Sequence, residues 1–180
     1  IRVVVLGRLQ VLLPDQSHPL VQIRMDALGV LDVSAETVAL DATLYDSKIL
    51  QFTLTGDMAL RPGWGRQPQF VLAIGGFHPR FAPPPGLPAL KRLALQLADG
   101  DSLQLRCQAY LAVTSNTVQF GARVDLHAAG GGFSFDGMLG FDAILQLAPL
   151  AFEVEVGAAL ALRYHGRLLM GISFKGRLAG

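Results

Sequence analysis

Charge is what this chain of 180 residues has least of. Asp, Glu, Lys and Arg make up 16% of it, against about a quarter in ordinary soluble domains. Fifteen basic and fourteen acidic residues leave a formal net charge of +1. No Lys/Arg cluster stands out, so the footprint of a nucleic-acid partner is absent and none is expected. A single cysteine, Cys107, closes no intramolecular disulfide, and a lone thiol does not fix the compartment. No apolar run approaches the ~18 residues of a membrane helix. One Trp and three Tyr are few for the two aromatic girdles of a membrane barrel. The chain starts at Ile1, already in a strand pattern and without a leading methionine, which reads as a segment of a longer protein or a processed one.

What the chain has in quantity is alternation. Hydrophobic residues make up 51% and the mean hydropathy is +0.41. Apolar residues recur at every second position in long sets: Val3 to Leu13, Val21 to Ala27, Val38 to Leu44, Leu50 to Leu60 and Phe70 to Ile74. After a break they resume from Leu93 to Leu97, Leu103 to Val113, Val118 to Leu126, Phe133 to Leu147, Phe152 to Leu162 and Leu168 to Phe174. A period of two puts each set on one face of a strand. No segment carries a convincing 3.6 period, so the fold class is all-β, an antiparallel meander of about ten strands. Asp46-Ser47-Lys48 and Asp99-Gly100 mark turns. Leu103–Val113 and Val118–Leu126 are expected to pair as a hairpin around Thr114-Ser115-Asn116, with Leu105 and Val124 on one face and Gln104 and Arg123 on the other.

The long interruption is "GGFHPRFAPPPGLP", Gly75 to Pro88. Pro83, Pro84 and Pro85 remove three backbone donors and exclude a central strand. A single domain, or part of a larger one, is expected: a first strand set over 1–74, a proline-rich crossover loop over 75–89 and a second set over 90–180. The two halves would pack as a sandwich, a barrel or a curled groove, because so many apolar side chains need a cover.

Candidate chemistry is sparse. His18, His78, His127 and His165 lie far apart, with no metal-ligand spacing. His78 reads as a loop anchor. Asp136 and Asp142, with Glu153 and Glu155 on the next strand, would suit a cation or an acid/base pair, but acids interleaved with apolar residues fit a solvated sheet face better. Ser134 has no G-x-S-x-G elbow, and Gly130-Gly131-Gly132 lacks the lysine and helix start of a phosphate loop. Cys107 alternates with Leu105 and Ala109 and points into the apolar face. Trp64, in "RPGWGRQP", reads as a lid over one end of the sheet. No catalytic residue, metal or cofactor is expected.

Several stretches have a recognisable wording: "LTGDMALR" (Leu54 to Arg61), Trp64-Gly65, "GGFHPRFAPPPG" (Gly75 to Gly86), "AVTSNTVQFGARVDL" (Ala112 to Leu126) and "GGFSFDGMLGFDAILQLAPLAF" (Gly131 to Phe152). Their wording and order, from about Val3 to Leu178, resemble the bacterial family called domain of unknown function 6603. The resemblance implies a part of a long protein and carries over no site residue.

The functional expectation is a non-enzymatic β-sheet structural module of a larger bacterial protein, serving as scaffold in an extended assembly. Its partners would be neighbouring β segments of the same protein or further copies of itself, joined at unpaired strands near Val3 and Phe174. The alternative is binding of lipid or another apolar ligand in a curled β groove lined by Ala109, Phe120, Ala122, Phe135, Phe141, Ala143, Val154 and Ala158.

Overall fold

The computed structural model describes residues 1–65 and 68–180. Among these residues there is no helix, and the alternating sets form β1 (Arg2–Leu13), β2 (Val21–Asp32), β3 (Thr37–Leu44), β4 (Ser47–Ile49), β5 (Phe52–Thr55), β6 (Asp57–Pro62), β7 (Phe70–Ile74), β8 (Leu93–Asp99), β9 (Leu103–Thr114), β10 (Thr117–Gly130), β11 (Phe133–Gln146), β12 (Ala151–Tyr164) and β13 (Arg167–Ala179). All pairings between them are antiparallel. All thirteen strands belong to one sheet.

The thirteen segments are ten long strands, three of them broken in two. β3 and β4 lie end to end along one edge of β2, with Met25 opposite Leu44 and Gln22 opposite Lys48. β5 runs on through Gly56 into β6, and together they face β4 and β3. β7 and β8 lie end to end along β9, with Ile74 opposite Leu111 and Leu93 opposite Ala109. Pairing therefore runs in a ring through eight segments, β9-β7-β6-β3-β2-β4-β5-β8 and back to β9. Because both arms hang from the same edge of β2 and the same edge of β9, the ring is an opening within one sheet.

The breaks at Asp46 and Gly75 have causes that the neighbouring strands supply. At Asp46 the backbone turns to φ 43, and the Ser47 hydroxyl closes the resulting bulge, accepting from the Arg24 amide at 2.9 Å and donating to the Arg24 carbonyl at 3.0 Å. The strand thus continues past Asp46-Ser47-Lys48, and the reversal expected there falls at Leu50 and Gln51, with Leu50 at φ 56. Gly75, at φ 71, is where the chain leaves β7; a Cβ there would stand 2.5 Å from the Ala109 carbonyl oxygen. Only glycine fits so close an approach at that φ.

The proline-rich segment is therefore an excursion that leaves and re-enters one strand line, and the two strand sets it separates are halves of one sheet. The second layer that a sandwich would need is absent among the described residues. The β9–β10 hairpin has the expected register, with Val113 opposite Val118 and Cys107 opposite Val124. Gln104 and Arg123 are exposed, Leu105 is half-buried and Val124 is exposed.

Register carries the alternation across the whole sheet. Residues directly opposite in neighbouring strands share a face, and one such row runs Gly7, Ala27, Ala42, Met58, Ile74, Leu111, Phe120, Ala143, Val154, Leu178. Among the described residues, one paired strand position on this face carries a charge, Arg167 opposite Tyr164 at the start of β13, and Ser47 and Tyr164 supply its hydroxyls. The other face holds the remaining charged side chains of the paired strands. It also holds the most deeply buried line, Ala59, Ala73, Ala112 and Gln119, all with no accessible surface.

Candidate functional site

The excursion between β7 and β8 lies over the polar face and is held there by side chains from four strands. His78 is 2% exposed; its backbone amide donates to Gln119 Oε1 at 2.9 Å, and its Nδ1 accepts the Arg80 amide at 3.2 Å. That acceptor role puts the ring proton on Nε2, which is buried and meets no hydrogen-bond partner. Arg80 then reaches β12, pairing with Glu153 at 2.6 Å and with Glu155. Arg177 of β13 takes the second oxygen of Glu153 at 2.5 Å. The Arg177 guanidinium, with Arg80 behind it, holds the Glu153 carboxyl below the ordinary carboxylate range.

At the other end of the excursion Arg92 donates to the carbonyls of Gly75 (2.9 Å) and Phe77 (2.8 Å). Its guanidinium carbon lies 3.9 Å from the Tyr110 ring centroid, within cation–π range. Tyr110 reaches over β10 to donate to Asp142 Oδ1 at 2.8 Å. Gly121 makes that reach possible, since a Cβ there would stand 2.5 Å from Tyr110 Cε1 and 2.7 Å from the Phe141 carbonyl oxygen. Burial, and then the bond to Asp142, push the Tyr110 phenol far up, while burial draws Arg92 down.

Beside this network the polar face opens into shallow grooves. One of about 640 Å³ is floored by Gly121, Gly140 and Gly157 and rimmed by Arg123, Asp142 and Lys175. A second, of about 620 Å³, adjoins it over Gln108 and Met138 and is edged by Arg106, Asp125 and Asp136. A third, of about 560 Å³, lies between Arg8, Asp26 and Asp41. In all three the runs of lining residues begin and end on the polar face.

The eight residues expected to line an apolar groove all stand on the opposite, apolar face. Phe120 faces Ala143, which faces Val154; Phe141 faces Ala122, which faces Ala109. Phe135 and Ala158 share that face further along. Phe120 is 45% exposed, and around these residues Leu139 is 58% and Phe174 61% exposed. Cys107 is on this face, as its alternation with Leu105 predicts.

The acidic residues of β11 and β12 are spread over separate ion pairs and one hydrogen bond to Tyr110. Asp136 accepts from Arg163 and lies 2.6 Å from His127 Nδ1, and His127 is the main cause of its lowered pKa. Asp142 is taken by Tyr110, and Glu153 and Glu155 by arginines. No group of three metal-ligating side chains occurs among the described residues. Trp64 is half-exposed and its amide donates to the Glu36 carbonyl at 3.1 Å; Arg66 and Gln67 of the same stretch lie outside the described residues. Sequence reasoning missed the Arg92–Tyr110–Asp142 line, whose members come together only through the register of β9, β10 and β11.

The family of unknown function DUF6603 matches residues 1–180, the whole chain. The chain belongs to that family. No curated protein and no solved structure matches it. The DUF6603 sheet thus has a polar face crossed by a strapped excursion and an apolar face on which many of the large side chains are exposed, while Ser47 and Leu54 are buried.

Proposed function

We propose that this chain is a non-enzymatic structural module whose sheet is continued at both margins by further β-strands, as a scaffold unit of an extended assembly. The observation that carries the reading is the state of its outer strands. β1 and β13 each pair on one side only, and nearly every residue of both is exposed. A long unpaired edge offers a ladder of free N–H and C=O groups to another strand. Neither edge strand is short or carries a proline; β1 also lacks a bulge, and β13 is blunted only by the bulge at Leu169 and by Arg167 and Lys175. The polar face supports a structural role more than a reaction, because the acids of β11 and β12 are held by arginines, His127 and Tyr110 and the excursion is bonded down at both ends.

The test is the assembly state of the purified protein by sizing with light scattering. Assembly that grows with concentration is expected. Val4→Pro and Val5→Pro are compared, since of two neighbouring residues one turns its amide toward β2 and the other toward the free edge. The proline on the outward amide should reduce assembly while leaving the β-rich circular dichroism intact. A protein that stays monomeric at high concentration would sink the proposal.

A further inference from the structure

The apolar face has dimensions and chemistry that select its occupant, and we infer that it faces lipid hydrocarbon, with the polar face turned to water. The inference rests on the edge reading above in one respect: hydrocarbon tolerates no open sheet edge, so the strands beside β1 and β13 must be paired in the assembled state.

The first argument is charge. The face spans ten strands, up to 14 residues long, with a single charged position, Arg167, at a strand end opposite Tyr164. An interface with a second protein sheet is apolar at its centre and polar around its rim; here the rim carries that one charge, placed where a long cationic side chain on a lipid-facing sheet reaches the interface. The second argument is length. Fourteen residues at about 3.3 Å each, tilted by about 45°, cover roughly 32 Å, against a hydrocarbon core of about 30 Å. The third is sidedness. Alternation of an apolar outer face with a charged, grooved inner face is the pattern of a sheet that stands between lipid and water. Phe133 packs against Tyr164 at 4.6 Å at one end of the long strands and Phe152 stands at the other, with Phe120, Phe141 and Phe174 between them. Leu139 and Phe174 lie near mid-strand.

The probe is a vesicle of phosphatidylcholine and phosphatidylglycerol, incubated with the full chain and floated on a density gradient. In a Trp64→Phe background, Leu139→Trp should be quenched by lipids brominated on the acyl chains, and Gln104→Trp on the polar face should not. Leu139→Arg should weaken flotation roughly tenfold or more, as a cation near mid-depth on the lipid face does, while Ser173→Arg on the polar face should change it less than about twofold. If Leu139→Trp misfolds, Ile172→Trp on the adjoining row serves for the same measurement. Absence of flotation, or equal quenching from both faces, overturns the inference. So does a discrete dimer cross-linked through the Leu139 faces that leaves vesicles unbound. Failure of the edge proline to alter assembly, with one-sided quenching intact, would remove the scaffold reading alone.

Discussion

Gly121 and Ala122 are neighbours in β10 and stand on opposite faces of the sheet, and the two faces treat them differently. Gly121 is wedged under the Tyr110 ring, against the Phe141 carbonyl oxygen and the Asp142 carboxylate, with no room for a methyl group. Ala122 stands among Ala109 and Phe141 on a face that no other element covers. The polar face is thus the one that is closely fitted in this chain, and the apolar face is open. Ordinarily the apolar side of a sheet is the packed one. The inversion is what the proposed lipid-facing role would require of the sheet.

The sharpest break in that comparison should come at Gly75, where the excursion starts. A side chain there would take a positive φ, with its Cβ 2.5 Å from the Ala109 carbonyl oxygen and 2.7 Å from the Leu93 nitrogen, both backbone. Gly75→Val is expected to destabilise the protein by about 3 kcal/mol or more, read as a lower urea midpoint. An unchanged midpoint would mean that the strap is not part of the cooperative unit.

Next in size is the pair that opened the comparison. Gly121→Ala should cost about 1–3 kcal/mol, because the Tyr110 ring or the β11 backbone must move. Ala122→Leu should cost about 0.5 kcal/mol or less, the usual range for substitutions with free space. Equal urea midpoints for the two variants would show that the faces are equally fitted. Tyr110→Phe should follow at about 1 kcal/mol, by removing the phenol and leaving Asp142 without that donor.

How much of this could be read from the chain follows from what a period of two carries. It gave the partition of side chains between faces, so Leu105, Val124 and all eight candidate lining residues share one face. Alternation has no sign, however. It does not state which face is covered, and the expectation that the apolar set would be enclosed came from the average sheet. Interruptions at Asp46 and Gly75 were legible, but not that the strand line continues past each, nor the break at Gly56: these depend on a backbone approach from a distant strand, Arg24 in the first case, Ala109 in the second and Leu93 in the third. The Tyr110–Asp142 bond is 32 residues apart in sequence and needs the registers of two strand pairs at once. His78 reads from the sequence as a loop anchor whose ring bonds a backbone carbonyl; instead its backbone amide holds the loop to Gln119, while the ring accepts the Arg80 amide.

The smallest expected effect concerns acid, and it separates the strap from the sheet beneath it. Glu153 holds Arg80 of the excursion and Arg177 of β13, and its pKa is lowered first by Arg177. A carboxylate whose folded pKa lies below its unfolded value stabilises the fold above the ordinary carboxylate range, and that contribution is lost as pH falls through the folded value. Asp136, lowered mainly by His127 with Arg163 beside it, follows the same sign. The backbone ladder contains no titrating group, so acid should loosen residues 76–92 and the Asp136–His127 end of the β10–β11 hairpin, while the Val118–Arg123 part of β10 stays protected. Hydrogen exchange at pH 7 and at about pH 3, corrected for the intrinsic rate, measures this. In Glu153→Gln the segment should already be looser at neutral pH and should respond less to acid. Equal acid sensitivity in the strap and in that part of β10 would show that the two faces open together, and that Arg80 adds nothing separable.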